Sequence, residues 1–301
     1  MLVVIALGGN AFLRPGAEPS QEEHLRNIKA AARVIAEIAR EGHSVVVTHG
    51  NGPQVGILDE LQAIANRRYF SLDAIGAATQ GLLGYLIAQS IDEELRDSGR
   101  AIAVVTRSLV RLEDPAFSNP TKFVGAAYPK EVAEALAAKY GWAIRLDKAR
   151  GWRRVVPSPE PVGVVEARAI RALLQEGFIV VAVGGGGVPV ADGRGVEAVI
   201  DKDLASQVLA NELGANALVI LTDVDGVYLD YGTERQRGLG RVSVDELERY
   251  YREGQFPAGS MGPKVLAAIR FIRGGGEWAA IGRLEEGYEV FKQRRGTIIL
   301  P

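Results

Sequence analysis

The sequence predicts an α/β protein built on a mainly parallel sheet covered on both faces. Three observations predict it. Short apolar segments alternate along the chain with longer segments of helical periodicity. Glycine clusters fall where the apolar segments end, as ligand loops do in such sheets. One stretch, 113–161, breaks the rhythm and reads as an insertion. The length of 301 residues, with 47% apolar and 24% charged, suits one large domain or two closely packed lobes.

Taken in order, Val3–Leu7 is a strand. Gln21–Arg40 is a helix, with Ile28, Ala31, Ala32, Ile35, Ile38 and Ala39 on one face and Gly42 as its stop. Ser44–Thr48 is the next strand. Pro53–Asn66 and Leu72–Asp97 fit helices, and Ala101–Thr106 a strand. In the second half Val165–Gln175 is helical and Phe178–Val183 a strand. Asp201–Leu213 is helical, Ala217–Leu221 a strand, and Ser243–Glu253 and Met261–Arg273 are helices. The stretch 113–161 carries six prolines and the run Arg150-Gly-Trp-Arg-Arg154. It also has periodic segments of its own, Lys130–Tyr140 and Trp142–Leu146, so it reads as a subdomain over the sheet rather than a linker.

Composition removes several classes of function. Lys plus Arg number 35 and Asp plus Glu 37, a net charge of −2, which does not suit a nucleic-acid-coating protein. No cysteine is present, so disulfides, thiol nucleophiles, iron–sulfur clusters and Cys-based zinc sites are excluded. The apolar runs are strand-sized, far below a membrane span. The apolar start lacks a basic leader and a cleavage site, so it reads as a first strand, and the expected location is the cytoplasm.

The glycines and lysines carry the chemistry. Gly8-Gly9-Asn10, His49-Gly50-Asn51-Gly52-Pro53 and Gly184–Gly187 each follow a strand. Glycine there lets backbone approach a ligand, and N–H groups at a following helix start can cradle anions. The usual nucleotide signatures fail: there is no Walker loop, and the loose match at Gly193–Ala198 follows no strand. Only eight of the 35 basic residues are lysine. Lys202, in Val199-Ile-Asp-Lys-Asp203, and Lys264, in Gly259-Ser-Met-Gly-Pro-Lys264, fall at helix starts, where a cation opposes the helix dipole. Asp201 suits the N-cap there, and Asp203 could orient the lysines. Lys122 lies in Asn119-Pro-Thr-Lys122 of the insertion. Thr222-Asp-Val-Asp-Gly-Val-Tyr228 ends a strand and suits nucleotide contacts, though Asp-Gly also marks a simple turn.

Together and in this order, these segments resemble the amino acid kinase superfamily, and within it the carbamate kinase family. Asn119-Pro-Thr-Lys122, Gly151-Trp-Arg-Arg-Val-Val-Pro-Ser-Pro159 and Val199–Asp203 carry the narrower resemblance, which runs from Val4 to Pro301. One departure stands after Lys122, where the family commonly has Pro-Val-Gly-Pro and this chain has Phe123-Val-Gly-Ala126. The resemblance implies a three-layer αβα sandwich forming a single domain. Residues 1–112 and 162–183 would be mainly the phosphoryl-acceptor lobe, 113–161 a protruding subdomain, and 184–301 mainly the nucleotide lobe. It implies a homodimer that interconverts ATP plus carbamate with ADP plus carbamoyl phosphate, uses Mg2+, and often serves arginine catabolism. Gly8, Gly9, Asn10, Gly50, Asn51 and Gly52 would bind carbamate and the transferring phosphoryl group. Gly185, Gly186, Lys202, Thr222, Asp223, Val224, Tyr228, Ser260, Met261 and Lys264 would bind nucleotide. Lys122, Lys202, Asp203 and Lys264 would be catalytic.

The residues suit that chemistry. Carbamate is already an oxyanion, so its attack needs alignment and charge cancellation, not a general base. His49 accordingly reads as structural. Mg2+ is expected on nucleotide phosphates and water, with no protein metal site. Neither a nucleic-acid nor a membrane partner is expected. A related kinase acting on another acceptor, and a nucleotide sensor without turnover, remain the alternatives. The segment Arg150–Arg154 suits either anion steering or holding the insertion together.

Overall fold

The computed structural model describes residues 1–8, 20–257 and 259–301. In chain order the first half contains β1 (Leu2–Leu7), α1 (Gln21–Arg40), β2 (Ser44–His49), α2 (Gly52–Ile64), α3 (Leu72–Leu95), β3 (Ala101–Ala103) and β4 (Arg107–Leu109). The insertion follows as β5 (Lys122–Tyr128), α4 (Lys130–Tyr140), β6 (Ala143–Asp147) and β7 (Gly151–Val156). Then come β8 (Gly163–Val164), α5 (Ala167–Gln175), β9 (Ile179–Val181), β10 (Val188–Ala191), β11 (Arg194–Gly195), α6 (Lys202–Leu213) and β12 (Ala217–Thr222). The chain closes with β13 (Val227–Leu229), β14 (Arg237–Leu239), β15 (Arg241–Ser243), α7 (Val244–Arg252), α8 (Met261–Arg273), β16 (Trp278–Arg283), α9 (Gly287–Phe291) and β17 (Thr297–Leu300).

Eight strands form the central sheet in the order β15-β17-β16-β12-β1-β2-β9-β3. Every neighbouring pair is parallel except β16–β17. The predicted parallel sheet is therefore the one observed. Strand alternation divides β1 between two cores. Val3, Ile5 and Leu7 pack with Ile28 and Ile35 of α1, Leu83 and Ile87 of α3, and Val290 of α9. Val4 and Ala6 pack on the other face with Ile170 of α5, Leu209 of α6, Leu247 of α7 and Val265 of α8. The result is helix, sheet, helix, in three layers.

Caps fix the helices that matter most. Ser20 accepts from the Glu23 N–H to start α1. Asp201 accepts from Asp203 and Leu204 N–H to start α6, and Gly214 in a left-handed conformation ends it. The stretch 113–161 does fold on its own strands. β5, β7 and β6 form a separate antiparallel sheet, and Val124 and Val156 pack onto Val55 of α2 and Leu72 and Ile75 of α3. No helix among the described residues is long and apolar enough to cross a membrane.

Candidate active site

The adjacent strands β12, β1, β2 and β9 all run the same way, so their carboxyl ends open at one edge of the sheet. That edge is where open α/β sheets bind ligands. Gly8 follows β1, and its N–H bonds the Leu221 carbonyl of β12 at 2.9 Å. Gly50 follows β2 and bonds the Leu7 carbonyl at 3.1 Å. Asn51 then leads into α2, which has Pro53 in its first turn. After β9, Val183 adopts φ +52°, a conformation that strains a β-branched residue. Thr106 stabilises that turn: its hydroxyl accepts from the Val183 N–H at 2.7 Å, and Gln80 holds its backbone. The glycines beyond are packed hard against β2. A Cβ on Gly184 would stand 2.6 Å from the His49 ring, and one on Gly185 would fall inside the Asn51 carboxamide.

A cleft of about 550 Å³ lies over this edge. Its wall includes Gly8, Gly50, Asn51, Gly52, Gly185, Lys122, Lys202, Asp203, Thr222, Asp223, Val224, Tyr228, Ser260, Met261 and Lys264. These are the sequence-predicted site residues, with three exceptions. Gly9 and Asn10 lie outside the described residues. Gly186 is buried behind the wall, with no room for a Cβ before the Ile200 carbonyl. A second cavity of about 610 Å³ opens beneath the insertion. The two share Asn51, Gly52, Pro53, Lys122, Gly185 and Val199, which form a neck between them.

The charged centre is built by two helices. α6 brings Lys202 and Asp203 and α8 brings Lys264; the two pack through Ala205, Leu209, Val265 and Ala268. Asp203 takes both ammonium groups on one carboxylate. Lys202 Nζ stands 2.8 Å from Oδ1, and Lys264 Nζ donates to Oδ2 at 3.0 Å. Thr48 and Ser206 share a 2.6 Å hydrogen bond that ties β2 to α6. Lys122 enters from the insertion, its Nζ donating to Asp201 Oδ2 at 3.4 Å.

Comparisons with known proteins identify the family. The amino acid kinase family model matches residues 1–282. This chain belongs to the amino acid kinase family. It is 52% identical to the carbamate kinase of Pyrococcus furiosus, with 99% of each chain covered. It is 43% identical to that of Trichomonas vaginalis over 100% of both. A crystal structure of a protein from Aeropyrum pernix K1 superposes with a TM-score of 0.93 at 47% identity, covering 100% of this chain and 99% of that one. Carbamate kinase from Giardia lamblia bound to AMP-PNP gives 0.92 at 38% identity, covering 99% and 98%. The three-layer sandwich is thus an amino acid kinase fold.

In this amino acid kinase, burial sets the electrostatics. Burial would push the Asp203 carboxyl up, but Lys202 and Lys264 together outweigh it and hold it below the usual range. Lys202 is itself lowered, first by burial and further by the like charge of Lys264, against the pull of Asp203. The His49 pKa falls from 6.5 to about 4 because the ring is buried, with Lys202 adding to the effect against the bond to Gly50. Its Nδ1 lies 3.0 Å from the Gly50 carbonyl, so the imidazole is a neutral brace for the turn after β2. Among the described residues no group of three or more His, Asp or Glu side chains comes together.

Sequence reasoning missed part of the wall. Tyr231, Phe256 and Pro257 line the first cleft from loops that carry no ligand-binding pattern. The sequence suggests only a helix cap for Asp201. Its contact with Lys122 joins residues 79 apart, and no local pattern shows it. The insertion's basic run divides by role. Arg154 is buried on Asp59, Arg153 bonds Asp147 and the Gly125 carbonyl, Trp152 lies under Lys130, and Arg150 lines the second cavity.

Proposed function

We propose that this chain is a carbamate kinase, catalysing reversible phosphoryl transfer between ATP and carbamate to give ADP and carbamoyl phosphate. The observation that carries the reading is the Lys202–Asp203–Lys264 cluster at the convergent strand ends, in a chain similar over its full length to carbamate kinases. The nucleotide would occupy the first cleft, along Thr222, Asp223, Val224, Tyr228, Ser260 and Met261. Residues 184–301 would be mainly its lobe. Carbamate would enter through the second cavity, under the insertion 113–161, and meet the phosphoryl group at the neck.

The carbamate oxygen attacks the γ-phosphoryl in line, with ADP leaving. No proton need be removed, which agrees with a neutral, buried His49. Negative charge spread over the phosphoryl oxygens would be met by Lys202 and Lys264 and by the N–H groups of Asn51 and Gly52, while Gly8 and Gly50, whose own N–H groups bond the Leu221 and Leu7 carbonyls, would let the ligand approach the backbone. Asp203 keeps the two lysines apart and aimed. Lys122 completes the cage from the insertion. Mg2+ bound with the nucleotide would supply further neutralisation of phosphate charge beside Lys202 and Lys264.

The test is ATP formation from ADP, carbamoyl phosphate and Mg2+, with enzyme-free controls because carbamoyl phosphate decomposes unaided. Enzyme-dependent ATP that vanishes in Lys264→Ala supports the reading. A folded protein that binds ADP and forms no ATP would move it to another acceptor or to a sensor.

A further inference from the structure

We propose that Asp201 is a positioning residue for Lys122: one carboxylate caps the helix that carries Lys202 and Asp203 and at the same time holds the insertion's lysine at the neck. The inference rests on the kinase reading above and adds to it a residue with a defined task.

The two oxygens of Asp201 face different parts of the molecule. Oδ1 accepts from the Asp203 N–H at 2.9 Å and the Leu204 N–H at 3.4 Å, fixing the first turn of α6. Oδ2 accepts from Lys122 Nζ at 3.4 Å. Lys122 is the first residue of β5 and pairs in register with Val156, so it sits at the root of the insertion. The exit of the insertion is tied to the same place, because the Val199 N–H donates to the Pro157 carbonyl at 2.9 Å. The root of the insertion therefore rests on residues 199–201, and Asp201 connects it to the catalytic helix.

The strength of the contact fits a parked side chain rather than a permanent clamp. The Lys122 side chain is 41% exposed and its ion pair long. Such an exposed pair is weak. An ammonium held this way remains near the neck and can exchange Asp201 for the more highly charged phosphoryl oxygens. Without Asp201 the side chain would sample solvent, and its alignment with the reacting group would be lost.

Asp201→Asn separates the two tasks. Asparagine caps a helix as well as aspartate, but its neutral amide does not attract an ammonium. The expected result is turnover with ADP and carbamoyl phosphate lowered about two- to fivefold, the scale of so weak a contact, with KM for ADP nearly unchanged. Asp201→Ser, which also caps, should behave alike. In a Lys122→Ala background Asp201→Asn should cost nothing further, because its task is gone. Hydrogen exchange of ligand-free protein should quicken in β5 and stay constant in α6. Unchanged turnover, losses that multiply in the double variant, or faster exchange in α6 would each overturn the positioning role. If the wild type forms no ATP, the kinase reading fails, and the exchange comparison alone then decides whether Asp201 holds Lys122.

Discussion

At the scale of single residues, two ammonium groups on one buried carboxylate make an arrangement ill suited to stability alone. Lys202 and Lys264 both stand in first helical turns, where the dipole repels them, and Lys202 is desolvated as well. A transferring phosphoryl group would reward both placements. Lys202→Ala and Lys264→Ala should each lower kcat by about 10²–10³ with the fold intact, as steady-state kinetics and circular dichroism would show. Near-wild-type turnover in either variant would remove that lysine from the site. His49 makes the opposite kind of prediction. Its folded pKa, about 4, lies below the 6.5 of an unperturbed imidazole, so the unfolded chain binds the proton first. The stability this gives is present above pH 6.5 and is lost as pH falls toward 4. Chemical denaturation at pH 7 and 4.5 should show the wild type losing about 2.5 kcal/mol more than His49→Gln. Equal losses would mean that the ring titrates freely.

At the scale of elements, the insertion is docked by charge. Arg154 and Asp59 are 4% and 5% exposed and joined by a 2.8 Å hydrogen bond from Nη1. The guanidinium lies over the Trp142 ring, and its Nη2 reaches Glu197, which Arg68 also binds. Asp59→Ala would leave Arg154 buried without this partner and should destabilise the protein by about 3–5 kcal/mol. Asp59→Leu with Arg154→Met should recover most of that, since apolar groups can replace such a pair. Denaturation of the two variants measures the difference, and equal stabilities would show that the pair does not dock the insertion. Elements of this size were unevenly legible in sequence. The bounds of α1 and α8 were readable to the residue, and α6 was placed with its cap, because periodicity, caps and stops coincide there. The sheet of β11, β10, β4 and β8 was not seen, since strands of two to four residues show no period. The predicted strand Ala101–Thr106 stops at Ala103, where Thr106 turns to brace the glycine loop. β16 and β17 carry apolar runs whose pairing only the tertiary fold supplies.

At the scale of the whole molecule, the site was legible because its parts cluster at strand ends, whereas contacts across the insertion depend on how distant segments meet. The outer surface holds one more such relation. On α3, Leu83 and Ile87 face the core, yet Leu82 and Tyr85 on the opposite face are 51% and 61% exposed. Ile64 at the end of α2, with Tyr69 and Phe70 after it, is also exposed. A helix apolar on both faces belongs between two layers, and here the described residues supply only one. The homodimer that the resemblance to carbamate kinases implies would supply the other, with α2 and α3 as its face. Since α2 begins at the neck and carries Asp59 beneath the insertion, dimerisation would stiffen the acceptor side of the cleft. Sedimentation equilibrium should give twice the 32.2 kDa chain mass for the wild type. Leu82→Asp with Tyr85→Asp should give the single-chain mass with the circular dichroism spectrum retained, because both side chains point away from the core. A wild-type monomer, or a double variant that still dimerises, would place the interface elsewhere or nowhere. A monomeric variant with KM for carbamoyl phosphate raised and KM for ADP unchanged would show that the pairing supports the acceptor side specifically.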